Sequence, residues 1–299
     1  MNREHMKIGI VGIGVVGGAV KYGMEKLGHD VKVHDLLLDT QLSDLVDCRV
    51  VYICVPTPEH DDGSCDTSIV EDIVGSLIHL YAFQGTIAIK STVVPGTTER
   101  FIEQYTELKS IPLPMDNFGP HTLMGPAEMV VKQIKPKICF VPEFLRERHA
   151  ISDFTENHDV CVIGTHNPDC FRDIKNSHGH YPDEVVCMTP TEAELSKYFS
   201  NVFNAMRVIF ANGFYEVCKS LGADYTKIKN AVVKRPTMKN IYLDCNEKFR
   251  GYAGVCLPKD TAAFARLAED LGVDAQIFRT IVEDNDLYVP TVFEDMRLK

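Results

Sequence analysis

Cys256 is the residue in this chain with the clearest potential for covalent chemistry. It lies in the segment GYAGVCLPKD (251–260), after a turn of small residues that lets a bulky ligand approach the sulfur closely. Lys259, three residues later, brings a cation near the sulfur, which favours the thiolate and therefore nucleophilic attack. An ordinary buried cysteine beside a loop is the alternative for a single cysteine. The segment predicts a nucleophile only if other parts of the chain supply a matching site.

A second chemical pattern is the glycine-rich turn near the start of the chain. Lys7–Val11 is a short apolar run, typical of a buried strand, and it ends at Gly12. Gly12, Gly14 and Gly17 then form G-x-G-x-x-G before a helical pattern. These glycines allow a tight turn and the close approach of a pyrophosphate to the N–H groups of the helix N-terminus. The order predicts a dinucleotide site, with a purely structural glycine turn as the alternative.

Asp35 ends the second predicted strand, Val31–His34, and follows Gly17 by 18 residues. A carboxylate at this position can accept hydrogen bonds from a ribose diol, and its charge would repel a 2′-phosphate. The sequence therefore predicts NAD as the cofactor rather than NADP.

Strands and helices continue to alternate as far as residue 188. The predicted strands are Val50–Val55, Thr86–Lys90, Ile138–Val141, Asp159–Gly164 and Val185–Met188, with helices over Ile69–Tyr81 and from near Glu99. Such alternation predicts a parallel, doubly wound sheet whose ligands bind at the carboxyl ends of the strands. Thr57 and Thr92 follow two of these ends, although turn and cap chemistry alone would also explain both.

Glu143 and Glu147 are a pair of carboxylates four residues apart. They would share one face if their turn is helical, and they could then supply a base and a polar ligand contact. The alternative is a solvated acidic face balanced by Arg146 and Arg148.

Two further segments lead to structural predictions only. The proline-rich stretch 110–137 is predicted to be an irregular surface loop. His178 and His180 have no third ligand at a recognisable spacing, so we predict surface loop residues and no metal site.

Thr189, Pro190 and Glu192 have the residue types of a helix start, with a cap, a first-turn proline and a capping box. Apolar residues then recur at helical period to about Leu221, and Gly222 is the predicted stop. Roughly thirty residues at about 1.5 Å each span about 45 Å, which predicts a helix that joins two domains or two subunits. Lys197 and Asn201 are four apart on this helix, where a simple polar face is the alternative to a site.

Composition restricts the class of protein further. The chain has 299 residues, 45% of them hydrophobic, enough for one large core or two moderate ones. A formal net charge of −11 argues against a nucleic-acid or anionic membrane partner. Ten cysteines without a CxxC pair suit a reducing cytosol, and no signal-peptide or membrane-spanning run is recognisable. We therefore expect a cytoplasmic protein.

Six motifs, in order, resemble those of the UDP-glucose/GDP-mannose dehydrogenase family. They are VGIGVVG (11–17), CVPTP (54–58), KSTVVPGTT (90–98), PEFLRE (142–147), EAELSKYFSN (192–201) and GYAGVCLPKD (251–260). The resemblance implies a Rossmann-like doubly wound α/β domain (1–188), followed by the long helix within an all-α central domain (189–299). Ala253 and Arg148 stand where the family usually has glycine. The resemblance implies a protein of three domains, and the third would begin near Lys299. We therefore expect this chain to be a fragment or a naturally shortened member.

The resemblance also implies an activity, the NAD-dependent oxidation of UDP-glucose, or another nucleotide sugar, to the uronate through a thioester on Cys256. The implied catalytic residues are Cys256, Lys197, Asn201, Asp260, Glu143 and Thr92. The implied cofactor contacts are Gly12, Gly14, Val15, Val16, Gly17, Asp35, Thr57, Thr92, Glu147 and Lys259. The implied substrate contacts are Glu143, Phe144, Leu145, Lys197, Asn201, Tyr252 and Gly254.

The family roles that these residues would take are specific. Glu143 would be the base, acting through water with Thr92, and Lys197 would stabilise oxyanions. Asn201 would hydrogen-bond to the reacting oxygen or a water, and Asp260 would orient water near the sulfur. The resemblance also implies a homodimer, because members of the family resemble dimers that are joined through the helix corresponding to residues 191–221.

Two other functions remain open at the level of sequence. β-Hydroxyacid dehydrogenases are near 300 residues and carry a K-x-x-x-N on their interdomain helix, but they need neither the cysteine motif nor PEFLRE. The other alternative is a truncated paralogue that binds NAD and pairs with a full-length partner.

The role of Asp35 leads to the first prediction. The parent chain is expected to prefer NAD, and Asp35→Ala is expected to narrow that preference because the charge facing a 2′-phosphate is lost. Titration calorimetry with NAD and NADP measures both proteins. A parent chain that binds NADP as tightly as NAD would show that Asp35 has been assigned wrongly.

Overall fold

A computed structural model describes residues 5–60, 63–112 and 129–291 of the chain. Strands and helices together make up the fold as far as residue 188, and the described residues beyond it form helices and connecting turns. The first elements are β1 (Lys7–Val11), α1 (Val15–Lys26), β2 (Asp30–His34), β3 (Val50–Ile53), α2 (Ser68–Gly75), β4 (Thr86–Ile89), α3 (Thr97–Gln104), β5 (Glu107–Pro112) and β6 (Met129–Ile134). They are followed by β7 (Ile138–Phe140), α4 (Ala150–Thr155), β8 (Val160–Gly164), α5 (Pro168–His178), β9 (Glu184–Met188), α6 (Pro190–Ser220), α7 (Tyr225–Val232), α8 (Leu257–Asp270) and α9 (Gln276–Asp286).

Seven strands form one sheet in the order β2-β1-β3-β4-β7-β8-β9. Neighbours from β2 to β7 are parallel, and so are β8 and β9. The prediction of a wholly parallel sheet is wrong at one junction, because β7 and β8 pair antiparallel through Phe140 and Gly164. The alternation of elements along the sequence does not set the direction in which two strands pair, and mixed sheets are common among large sheets.

The central strands are covered on both faces, as the continuous apolar runs of the sequence predict. Every residue of β3, β4 and β7 is buried. Ile53 and Ile89 lie in the core on one face, and Ile10, Tyr52 and Cys139 lie in the core on the other. The α/β doubly wound fold class is therefore confirmed, with a mixed rather than a purely parallel sheet.

The stretch 110–137 is not the irregular loop that its prolines suggest. β5 and β6 pair antiparallel from Glu107 opposite Ile134 to Pro112 opposite Met129. Pro112 is at the end of its strand, a position where the missing N–H removes no interior ladder bond. The remainder of that prediction, residues 113–128, lies outside the described residues.

The long helix α6 has the start and the end that the sequence predicts. The Glu192 N–H donates to Thr189 Oγ1 at 3.3 Å, and the Thr189 N–H donates to Glu192 Oε2 at 2.8 Å, which completes the capping box. Gly222, with φ +66°, lies just beyond the C-cap. None of the described helices is both long and apolar enough to pass through a membrane.

Helices α8 and α9 cover only part of the apolar surface of α6. Val202 and Ala205 are buried in a small core together with Tyr252 and Ile281. On other sides of the helix, Phe199 is 74% exposed and Phe210 is 60% exposed. The apolar residues that recur at helical period are thus divided, since Leu195 and Phe199 are exposed whereas Val202 and Met206 pack inside.

Glu194 connects α6 to the sheet through a buried hydrogen-bonded cap. Its Oε2 accepts from the Gly96 N–H at 2.5 Å, and its Oε1 accepts from the Thr98 N–H at 2.8 Å. These N–H groups belong to the start of α3, which has no cap from its own segment. Burial raises the pKa of Glu194 to about 7, against the opposing effect of these hydrogen bonds, and neighbouring Glu99 adds to the rise. The connection therefore titrates near neutral pH.

The raised pKa of Glu194 predicts a pH-dependent stability. An acid whose pKa is higher when folded binds its proton more tightly when folded, so its contribution to the free energy of unfolding is largest below its ordinary pKa of 4.5. That contribution falls as the pH rises to about 7, by about 1.4 kcal/mol per pH unit at most. Glu194→Gln is expected to flatten this slope in urea unfolding measured across the same range.

Glu283→Gln, at an exposed position of α9, is the matched control and should keep the parent slope. Equal slopes for the parent and Glu194→Gln would contradict the assignment.

Candidate active site

The turn after β1 has the geometry of a close backbone approach. Gly12 has φ +87°, and a Cβ there would lie 2.6 Å from the Cys54 carbonyl oxygen. A Cβ at Gly17 would lie 1.9 Å from the Gly12 carbonyl oxygen, so both positions require glycine. Gly14 is the N-cap of α1, and a Cβ there would meet no described atom within 4 Å. Val15 is exposed in the first turn of the helix, and Val16 packs on the core.

Asp35 is held against this turn by two backbone hydrogen bonds. The Ile13 N–H donates to Oδ2 at 2.7 Å, and the Leu37 N–H donates to Oδ1 at 2.9 Å. The bonds from Ile13 and then Leu37 lower the pKa of Asp35, so the side chain is an oriented carboxylate. An open helix N-terminus beside an oriented carboxylate fits the pyrophosphate and the adenosine ribose of a dinucleotide.

Thr57 and Thr92 connect the two loops that follow β3 and β4. Thr57 is buried, and its hydroxyl donates to the Thr92 carbonyl oxygen at 2.8 Å. Lys259 reaches the same place from the helical region, with Nζ 3.5 Å from Thr57 Oγ1. Neither threonine is a helix cap, so the local alternative does not account for their positions.

Cys256 is the N-cap of α8, which begins at Leu257. The residue is exposed to solvent, yet the protein around the sulfur is dense enough that desolvation is the largest influence on its pKa. Desolvation raises the pKa of the thiol, Lys197 lowers it most, Asp260 raises it, and Lys259 lowers it less than Lys197 does. The net pKa is above its ordinary value. Lys259 thus favours the thiolate, as the sequence predicts, but desolvation and Asp260 outweigh the two lysines.

Glu143 and Lys197 form the side of the site nearest the sheet. Lys197 Nζ donates to the Glu143 carbonyl oxygen and lies 5.9 Å from the centre of the Phe144 ring. The Glu143 side chain is buried, and its Oε2 accepts from Lys90 Nζ at 2.7 Å. Phe144 and Leu145 are partly buried beside it.

Glu143 and Glu147 do not share a helical face. Residues 141–146 are not helical, and Glu147 begins a short 3-10 turn on the surface. Arg146 pairs with Asp153 at 2.6 Å and so does not balance the glutamates. The charge of Glu147 nevertheless acts on Cys256, where it raises the pKa of the thiol.

Asp260 connects α6 with α8 inside the site. Asn201 Nδ2 donates to Asp260 Oδ2 at 2.6 Å, and Lys259 Nζ lies 2.8 Å from Asp260 Oδ1. Desolvation lowers the pKa of Lys259, but the Asp260 carboxylate and the nearby thiols raise it above its ordinary value. Lys259 is therefore a cation that joins Asp260 to Thr57.

The structure brings eight of the predicted residues together at one location and places Tyr252 elsewhere. Tyr252 lies in the helical core, with its hydroxyl donating to the Ile281 carbonyl oxygen at 3.2 Å. We interpret it as a packing residue rather than a substrate contact. Gly254, with φ +90°, lies in the open turn before Cys256. The residues brought together are Thr57, Thr92, Glu143, Lys197, Asn201, Cys256, Lys259 and Asp260.

Sequence reasoning missed Lys90 and Tyr242. Lys90 follows the buried strand β4, and a charge that ends an apolar run is a signal that could have identified it. Tyr242 has φ +57°, and its pKa is raised by burial and by nearby Cys256. No pattern in the sequence around Tyr242 indicates that position.

His178 is not a surface residue. It is fully buried at the end of α5, and its Nδ1 lies 2.9 Å from the Ile174 carbonyl oxygen. The prediction is wrong because α5 extends to this residue, whereas His180 lies beyond the helix and is exposed. Among the described residues, no group of three or more His, Cys, Asp or Glu side chains could hold a metal ion.

Two matches to one family cover most of the chain. Residues 35–180 match the NAD-binding domain of the UDP-glucose/GDP-mannose dehydrogenase family, and residues 191–287 match its central domain. Together with the glycine turn and Asp35, the first match identifies NAD as the cofactor.

Individual relatives agree with this assignment. The UDP-glucose 6-dehydrogenase of Pseudomonas aeruginosa is 31% identical over 257 residues, which are 84% of this chain and 51% of that protein. The structure of a UDP-glucose dehydrogenase from Pyrobaculum islandicum superposes with a TM-score of 0.79 at 26% identity, over 96% of this chain and 69% of that one. This chain spans about half the length of the curated relatives it matches.

The β-hydroxyacid dehydrogenase alternative is represented by a solved structure. Mycobacterium tuberculosis 3-hydroxyisobutyrate dehydrogenase superposes with a TM-score of 0.70, over 95% of this chain and 94% of that one. At 10% identity, that likeness shows a shared fold alone. The family matches and the motif residues around Cys256 thus decide between the two alternatives, and this chain belongs to the UDP-glucose/GDP-mannose dehydrogenase family, whose NAD-binding and central domains it contains.

Proposed function

We propose that this protein oxidises the primary alcohol of a nucleotide sugar, UDP-glucose, to the carboxylate with two molecules of NAD. The observation that carries the proposal is the convergence of Lys197, Asn201 and Asp260 on an exposed Cys256. This group is joined by Lys259 and Thr57 to the loops of the dinucleotide-binding sheet. Relatives named for UDP-glucose favour that sugar nucleotide.

The first oxidation needs a base and a cation beside the alcohol. NAD, when bound, accepts the hydride that leaves the carbon. We assign the hydroxyl proton to Glu143, through a water near Thr92, because its carboxylate is buried and its main-chain carbonyl oxygen accepts from Lys197. Lys197 stabilises the negative charge that develops on the sugar oxygen.

The second oxidation proceeds through the sulfur of Cys256. The sulfur bonds to the aldehyde carbon, the thiol proton is transferred, and the oxygen becomes the hydroxyl of a thiohemiacetal. Loss of a second hydride and the hydroxyl proton leaves a thioester, and water then cleaves the C–S bond to release the carboxylate. We assign the orientation of that water to Asn201 and Asp260, whose side chains hydrogen-bond to each other. Because the pKa of the free thiol is raised, the cation of Lys197 is needed when the sulfur loses its proton.

The proposal divides the chain into an NAD-binding domain (1–188) and a central helical domain (189–299). The boundary lies between the end of β9 and the capping residue of α6. A cytoplasmic location belongs to the same proposal, since a catalytic thiol suits a reducing compartment.

Cys256→Ser is expected to abolish formation of the carboxylate, with at most one hydride transferred per sugar, because a serine does not form the thioester. NAD binding should be retained, since the dinucleotide is assigned to the glycine turn and Asp35, which do not include Cys256. Absorbance of NADH and mass spectrometry of the product measure both oxidations, with UDP-glucose and GDP-mannose as parallel substrates. Cys187→Ser, which replaces the other exposed cysteine, is the control and should behave as the parent. Equal turnover by Cys256→Ser and the parent would rule out the covalent mechanism.

A homodimer through residues 191–221 is also part of the proposal. A line of apolar side chains runs along α6 with exposed surface, namely Leu195, Phe199, Phe203, Phe210, Phe214, Val217 and Leu221. Two pairs of its rings are neighbours, Phe199 with Phe203 at 6.2 Å and Phe210 with Phe214 at 5.8 Å. Burying this line is favourable at about 25 cal/mol per Å² of apolar surface, and a two-fold axis would let two copies do so with the same face.

Phe203→Glu and Phe210→Glu are each expected to shift the protein from dimer to monomer, because a carboxylate would be buried at the interface without a partner. Light scattering measures the mass, which should be twice 33.5 kDa for the parent. Ile277→Glu, an exposed apolar position on α9, is the matched control and should remain dimeric. A parent that is monomeric at tens of micromolar would exclude the dimer.

A further inference from the structure

Lys90 is a buried cation with a single carboxylate against it. Its side chain is 1% exposed, and Nζ is 2.7 Å from Glu143 Oε2. Nζ also lies 5.7 Å from the centre of the Tyr52 ring and 5.8 Å from that of Phe154. Burial lowers the pKa of Lys90, but Glu143 and the nearby thiols outweigh that effect and raise it. The pair is therefore an ammonium and a carboxylate held together beneath the proposed site.

The other titratable groups around this pair are neutral. Burial lowers the pKa of His158, and burial together with the charge of Lys90 lowers that of His178 well below its ordinary value. His178 Nδ1 faces a carbonyl oxygen and must carry the proton, which leaves Nε2 without one. Burial raises the pKa of both Cys54 and Cys161 to about 12. Among the described residues, Lys90 is thus the cation that contacts the Glu143 carboxylate directly.

Glu143 lies between two lysines that approach it from different sides. Lys90 contacts the carboxylate, whereas Lys197 donates to the main-chain carbonyl of the same residue. Oε1, the oxygen that Lys90 does not contact, lies 3.2 Å from the N atom of Phe144 and retains capacity to accept a proton. Lys197 in turn is the strongest charge acting on the Cys256 thiol. Any displacement of Glu143 would therefore move the cation that acts on the nucleophile.

We propose that Lys90 is a positioning residue for the oxidation, whose buried ammonium compensates the charge of the Glu143 carboxylate and holds it where Oε1 can act as a base and its carbonyl can anchor Lys197. This inference rests on the proposed function for the role of Glu143. A purely structural ion pair is the competing explanation, since breaking a buried pair destabilises any fold. The two explanations differ in what happens to the protonation of Glu143.

The first experiment needs no turnover. Protein labelled with ¹³C at the glutamate carboxyl is titrated by NMR, and Glu143→Gln identifies the signal of Glu143. Lys90→Met is expected to raise the titration midpoint of that signal by on the order of one to three pH units, because the buried carboxylate loses its counter-ion. Lys7→Met, which removes an exposed ion pair with Asp47, is the matched control and should leave the midpoint unchanged.

The second experiment is the pH dependence of kcat with UDP-glucose and NAD. The acid limb of the profile for Lys90→Met is expected to move upward by the shift measured in NMR, so that activity returns at high pH. A structural role would lower kcat at every pH in proportion to the folded fraction. Lys90→Met/Glu143→Gln leaves no buried charge in the pair, and it should regain stability without regaining activity.

Lys90→Arg is the replacement variant for both measurements if Lys90→Met does not fold. The guanidinium keeps the charge, so the NMR midpoint should stay near that of the parent. Its larger planar head should displace the carboxylate and lower kcat at least about tenfold, with KM for UDP-glucose changed little. The inference is overturned if Lys90→Arg has the same kcat as the parent. It is also overturned if Lys90→Met folds and the NMR titration midpoint of Glu143 does not change. A parent without turnover counts against the proposed function only, since the NMR result remains decisive.

Discussion

The burial of Asp260 is the constraint on which the arrangement around Cys256 depends. The residue is 1% exposed, and an ionised carboxylate at that depth needs both hydrogen bonds and a counter-ion. Asn201 supplies the hydrogen bond from α6, and Lys259 supplies the charge from the first turn of α8. Because Cys256 caps the same helix, satisfying Asp260 also determines how far the sulfur lies from α6 and therefore from Lys197.

The charges around the sulfur balance one another instead of activating it outright. Lys197 and Lys259 favour the thiolate, whereas desolvation, Asp260 and Glu147 oppose it, and the thiol retains its proton. A protonated thiol is oxidised less readily than a thiolate. In the proposed reaction, the sulfur is activated when a substrate displaces water and the nearby base accepts a proton. The same cations then stabilise the oxyanion that forms at the sugar carbon.

Local patterns predicted most of the fold, because strand runs, the glycine turn and the capping box of α6 act over a few residues. Pairings between distant segments were not predictable in this way. The antiparallel junction of β7 and β8 and the antiparallel pairing of β5 with β6 both join segments that are separated along the chain. For the site, the motifs identified the residue types, but the depth of Glu143, the core position of Tyr252 and the raised pKa of Cys256 arise from burial, which no single segment encodes.

Buried polar contacts also explain why one side of α6 is exposed. The Glu194 carboxylate binds the start of α3, the Glu143 carbonyl oxygen accepts from Lys197, and the Asp260 carboxylate accepts from Asn201, so three polar contacts hold successive turns of the N-terminal half of α6. Each contact lies toward the sheet or α8, and each restricts rotation of the helix about its axis. The exposed phenylalanines cannot turn inward without breaking these contacts, each of which would leave a buried charge or N–H group unpaired. The chemistry of the site and the apolar outer face of the helix are thus consequences of the same orientation.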